Sequence, residues 1–115
     1  MNTKTYFTKV VGVTYENRQS VIEKLVGSEP CRLVPEPENA YDSNAIAVLV
    51  ATAIGVQQIG YLKREFAAKV APLMEGEPLM CKIMEITGGF ETSDGEQAAY
   101  GVVLEIEIPI AKTDG

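Results

Sequence analysis

The plainest hydrophobic pattern lies near the end of the chain. Val102, Leu104, Ile106, Ile108 and Ile110 alternate with positions that include Glu105 and Glu107. A period of two sends alternate side chains to opposite faces, so this segment predicts a strand with one buried and one wet face. Residues 6–13, rich in β-branched and aromatic side chains, predict a first strand, and Gly12 within it marks a bulge or a close backbone approach. Residues 31–35 predict a second strand. The unbroken apolar run 45–51 predicts a third, buried on both faces. Residues 58–62 make a fourth. In residues 79–86 the apolar phase slips between Ile83 and Met84, as a bulged strand requires.

Two stretches carry a helical period instead. Asn17 is a candidate N-cap for a helix over 18–26, with Val21, Ile22, Leu25 and Val26 inward, Arg18, Glu23 and Lys24 outward, and Gly27 as the stop. Residues 63–76 predict a second helix whose stripe is Phe66, Ala67, Val70 and Met74, kinked or given a separate last turn at Pro72. Met74, Met80 and Met84 are expected as core filler. Residues 88–98 form a polar, acidic, glycine-containing loop that is expected to be mobile. The order is β, α, β, β, β, α, β, β in one domain over 1–115 with its core in 6–110. It predicts a mainly β, α+β fold: an OB-like, partly open barrel of about six strands with two helices. An α+β sandwich is the alternative.

The chain's chemistry concentrates between the second and third strands, where residues 34–48 place two prolines, two asparagines, an aspartate and a tyrosine between apolar runs. Asn39, Asp42 and Asn44 can each bind backbone groups two residues on, which explains them as turn residues. Tyr41 fits a turn less well and is either a lid on the core or an exposed stacking face. Tyr15 reads as a staple against the first helix. Lys63 and Arg64 read as a solvated first turn, Tyr61 equally as a core residue or a binding contact, and Tyr100 as a core residue. Glu36 and Glu38 are expected to be solvated.

Composition narrows the function. The 115 residues contain no His, and Cys31 and Cys81 stand in no metal-ligand spacing. This removes Ser/His/Asp and Cys/His catalysis and the commonest zinc sets. No enzyme activity, cofactor or metal is expected, and the two cysteines read as buried thiols of a cytoplasmic protein. No membrane span or signal peptide is expected. The net charge of −6 opposes a general phosphate-binding surface. From Glu85 onward, however, seven acids face one base, whereas the first 84 residues balance nine acids with nine bases. A local basic patch in that body is therefore allowed.

Val10-Val11-Gly12-Val13, Tyr15, the run Glu36-Pro37-x-Asn39-x-Tyr41-Asp42-x-Asn44-Ala45-Ile46-x-Val48, Ile59-Gly60-Tyr61-Leu62 and Ala67 together resemble the HIRAN domain, over nearly the whole chain. The resemblance implies an OB-like barrel that captures the free 3′ end of single-stranded DNA, here as a stand-alone module of bacterial type. On matching positions it implies Tyr15 and Tyr41 as stacking faces and Asp42 as acceptor for the terminal 3′-hydroxyl. It also implies Asn39 as a backbone-binding neighbour and Arg64, beside Lys63, near phosphate, with Tyr100 as a further aromatic. Thr14 stands where the DNA-binding member has an arginine, Tyr61 where it has a histidine and Ala40 where it has a proline, so weaker phosphate affinity is expected. The implied partners are a single-stranded DNA end and a DNA-repair or helicase protein. A protein-interaction module with the same barrel and little DNA affinity is the alternative.

Overall fold

The computed structural model describes residues 3–74 and 79–109. The chain runs β1 (Thr3–Val11), α1 (Arg18–Glu23), β2 (Pro30–Pro35), β3 (Ile46–Thr52), β4 (Gly55–Leu62), α2 (Arg64–Met74), β5 (Leu79–Thr87) and β6 (Gly101–Pro109). That is the order the patterning predicts. All strand pairs are antiparallel, and the strands follow one another as β1-β4-β3-β2-β5-β6 around a closed barrel. The closure is uneven. β1 and β6 stay in register from Thr3↔Pro109 to Lys9↔Val103, whereas β1 meets β4 only at Val10↔Leu62 and Val11↔Tyr61. The expected mainly β, OB-like barrel with two helices is the fold, and the short β1–β4 seam is its nearly open side.

Alternation fills the interior. Leu33, Val48, Val50, Ile59, Ile83, Val102, Leu104 and Ile106 are all buried, and Ile22 of α1 and Ala67, Val70 and Met74 of α2 pack into the same core. Burying such aliphatic side chains contributes about 1.5 to 3 kcal/mol each before conformational entropy is counted. The β5 bulge falls where the phase slips, with the register shifting between Ile83 and Glu85. Cys31 and Cys81 sit opposite each other across β2 and β5 as free, buried thiols. The side-chain hydrogen bond it shares with its neighbour Cys31, and then burial, push the Cys81 thiol far above its ordinary range.

Several expectations need correction. Met80 and Met84 are exposed rather than core filler, because Met80 falls on the outer phase of β5 and Met84 is the residue the bulge leaves over. α1 ends at Glu23, Asn17 makes no side-chain cap bond, and Val26 lies beyond the helix in solvent. The Glu29 carboxylate accepts N–H bonds from Val26, Gly27 and Ser28, turning the chain there. Arg18 faces inward, not outward. β3 is buried on both faces only from Ile46 to Val48, and Ala51 is exposed. α2 runs on through Pro72 to Met74. Residues 88–98 form a short hairpin closed by Gly89–Ala98 and Phe90–Ala98 backbone bonds and a Glu91↔Gln97 bridge. Ile110 and the proposed end of the second helix at 75–76 lie outside the described residues.

Candidate nucleic-acid interface

Tyr61, one residue from the end of β4, stands in register between Val11 of β1 and Ala47 of β3. Just past Val11 the chain enters the turn that carries Tyr15. Just before Ala47 it leaves the loop that carries Asn39, Tyr41 and Asp42, and just after Leu62 it passes through Lys63 and Arg64 into α2. Three polar segments therefore converge on the end of β4. Gly60 allows the convergence, since a Cβ there would lie 2.3 Å from the Val11 carbonyl oxygen.

The loop between β2 and β3 is built by its own side chains. Glu36 N–H donates to the Ala45 carbonyl at 2.8 Å, closing the base. Asn39 Oδ1 accepts the N–H groups of Tyr41 (2.9 Å) and Asp42 (3.1 Å), and Asp42 Oδ1 accepts that of Asn44 (2.9 Å). These are the local bonds that turn chemistry predicts for Asn39 and Asp42. Tyr41 is left 92% exposed, which excludes its reading as a lid. The second Asp42 oxygen faces Arg64 Nε at 3.7 Å. That distance is a loose, solvent-screened ion pair, worth at most about 1 kcal/mol. Lys63 is exposed beside it, and its carbonyl accepts the Ala67 N–H at 2.8 Å to start α2.

The Tyr15 turn is held from α1. Arg18 Nη1 donates to the Gly12 carbonyl at 2.7 Å, Arg18 N–H to that of Tyr15 at 3.2 Å, and Gln19 Nε2 to that of Val13 at 2.9 Å. Tyr15 itself is 67% exposed, so it is no staple. Gln19 also exchanges bonds with the backbone of Tyr100, accepting its N–H at 2.8 Å and donating to its carbonyl at 3.0 Å. Tyr100 is half-buried against the core, on the α1 side of the Tyr15 turn.

A polar chain joins the two arms. Tyr61 donates its hydroxyl to Glu36 Oε1 at 2.9 Å, and Asn39 Nδ2 donates to the same oxygen at 3.0 Å. On the other side the Arg18 guanidinium lies 5.6 Å from the centroid of the Tyr61 ring. Arg18, Gln19 and Glu36 are the residues that sequence reasoning passes over. Helical period counts Arg18 as outward, and no local pattern reveals that Glu36 meets a tyrosine 25 positions away. A groove of about 400 Å³ lined by Val21, Leu25 and Ile54 lies elsewhere, between α1 and the β3–β4 turn. Among the described residues no cluster of three His, Cys, Asp or Glu side chains offers a metal site, and no helix is long and apolar enough to cross a membrane.

Comparison with known proteins adds three findings. The HIRAN domain family model matches residues 3–108. An Arabidopsis thaliana protein, SWI/SNF-related matrix-associated actin-dependent regulator of chromatin subfamily A member 3-like 1, is 34% identical over 71 residues, covering 62% of this chain and 7% of that protein. The chain thus spans a small fraction of that relative's length. The crystal structure of the HIRAN domain of human HLTF matches with a TM-score of 0.63 at 24% identity, over 90% of this chain and 74% of that one. Identity that low speaks for a shared barrel.

Proposed function

The chain belongs to the HIRAN domain family, whose members are in general nucleic-acid-binding modules, and from that premise we propose that it takes the 3′-hydroxyl end of single-stranded DNA at the end of β4. The observation that carries this assignment is the exposure of Tyr15 and Tyr41, one on each side of Tyr61, with the Asp42 carboxylate at the foot of Tyr41. Each exposed ring offers a base a stacking surface without reading its identity.

Asp42 supplies the choice of end. One oxygen is occupied by Asn44 N–H, and the other is held by Arg64 only at 3.7 Å, loosely enough to take a hydroxyl proton instead. Arg64, released, and Lys63 beside it then face the adjoining phosphate. An internal nucleotide or a 3′-phosphate would bring a second anion against the carboxylate and be repelled. Asn39 acts here through the loop, since its Oδ1 already fixes the backbone of Tyr41 and Asp42. A DNA-repair or helicase protein working on the captured end, in the cytoplasm, is the partner this function asks for.

Removing one stacking ring is the direct test. Tyr41→Ala and Tyr15→Ala are each expected to weaken binding of a short labelled single strand by about 5- to 150-fold, the equivalent of 1 to 3 kcal/mol. Their thermal midpoints should stay unchanged, because both rings are exposed. Unchanged affinity in both variants would remove the tyrosines from the site. The net charge of −6 and Thr14, which stands where the DNA-binding member has an arginine, favour a second reading as a protein-interaction module. Absence of any single-strand binding by the wild-type protein at low salt would transfer the assignment to it.

A further inference from the structure

Arg18 is a charged side chain only 8% exposed. The ion pairs among the described residues are Arg64–Asp42 and Lys82–Glu105, so no carboxylate among the described residues pairs with its guanidinium. Burying an uncompensated charge is costly, and a fold that does so has a use for the cation. One of its N–H groups, on Nη1, is committed to the Gly12 carbonyl. No buried side-chain nitrogen among the described residues lacks a hydrogen-bond partner, so none of the remaining guanidinium donors is sealed unpaired inside the core.

The orientation is fixed from both sides. The guanidinium lies over the Tyr61 ring at 5.6 Å, and the Tyr61 hydroxyl is tied to Glu36 at 2.9 Å, which keeps the ring from swinging away. Gly12 sets the other limit: a Cβ at that position would lie 3.2 Å from Arg18 Nη1 and 3.7 Å from Tyr15 Cδ2. The cation and the Tyr15 ring are thus neighbours across a residue with no side chain.

We infer that Arg18 is a second phosphate-binding residue of this site and receives the phosphodiester of the nucleotide stacked on Tyr15. The inference rests on Tyr15 as a stacking face. It also supplies, from α1, the positive charge that Thr14 leaves missing in the turn itself. A planar guanidinium suits the task, because it presents paired donors to two phosphate oxygens. Arg64 serves the nucleotide beside Asp42, and Arg18 serves the next one along, so two bases and two phosphates are held with few cations on an otherwise acidic protein.

The test is the salt dependence of single-strand binding. Arg18→Gln should weaken binding about tenfold and lower the slope of log K against log salt by about 0.7, the value for one phosphate of a single strand. Arg18→Lys should keep the slope. An Arg18 that merely buttresses the turn would lower the thermal midpoint of Arg18→Gln and leave the slope as it was, which would overturn the inference. Should Arg18→Gln fail to fold, inorganic pyrophosphate titrated into the wild-type protein decides the matter by NMR. Shifts at Gly12, Tyr61 and the Arg18 side-chain N–H are expected, and shifts confined to Lys63 and Arg64 would overturn it. Because pyrophosphate needs no stacking, that result is independent of whether the protein reads DNA ends.

Discussion

Glu16, the residue after Tyr15, holds φ at 54°, in the left-handed region that a side chain with a Cβ enters at a cost of about 1 kcal/mol. The strain is retained because Arg18 and Gln19 pull the turn back onto α1 through the carbonyls of Gly12, Tyr15 and Val13. Glu16→Gly is therefore expected to raise stability by about 0.5 to 1 kcal/mol, read as a higher denaturant midpoint. A lower midpoint would mean that the Glu16 side chain contributes something the geometry does not register. At this scale the turn residues were legible. Asn39 and Asp42 make the backbone bonds their chemistry predicts, because those partners lie two or three positions away. Arg18 and Glu36 were not, because the groups that give them a role come from β1 and β4, and one sequence carries no sign of contacts made only when distant strands meet.

Among the elements, β4 positions most of the site. A methyl group on Gly60 would press to 2.3 Å from the Val11 carbonyl and 2.5 Å from Val10 Cγ1, at a β1–β4 seam with only two paired positions. Gly60→Ala should therefore cost at least about 2 to 3 kcal/mol, measured by equilibrium unfolding, and should weaken ligand binding as the seam shifts Tyr61. The connection from α1 to β2 carries a pH term. Burial raises the Glu29 carboxyl, but the N–H groups of Val26, Gly27, its own residue and Ser28 outweigh it and hold the group below its ordinary value of 4.5. A lowered folded value contributes stability that is present above the unfolded value and lost as pH falls through the folded one. Glu29→Gln should thus narrow the difference in stability between about pH 7 and about pH 3. An unchanged pH profile would show the carboxylate to be dispensable. Long-period patterning gave the strands and α2, whereas the end of α1 escaped it, since Glu29 stops the chain from a position beyond the helix.

For the whole molecule, barrel closure and charge distribution set what can bind. A net charge of −6 repels a polyanion at long range, so any nucleic-acid contact has to be local and steeply dependent on salt. The cations Lys63, Arg64 and Arg18 cluster near the end of β4, while β6, separated from β4 by β1, carries Glu105 and Glu107 opposite Phe7 and Thr5. Three cations at that end of the barrel suit a short chain end better than a long duplex, and Asp42 disfavours a phosphate placed against its own carboxylate. The barrel as a class was legible from strand count and order, but its closure depends on the β1–β6 register between the two ends of the chain, which alternation alone does not specify. The measurement that bears most directly on this account compares two labelled single strands of one sequence at low salt, one ending in a 3′-hydroxyl and one in a 3′-phosphate. Tighter binding of the hydroxyl end by at least about tenfold, lost in Asp42→Ala, is the expected result. Equal affinity for the two ends would contradict the assignment of Asp42 as the residue that reads the end.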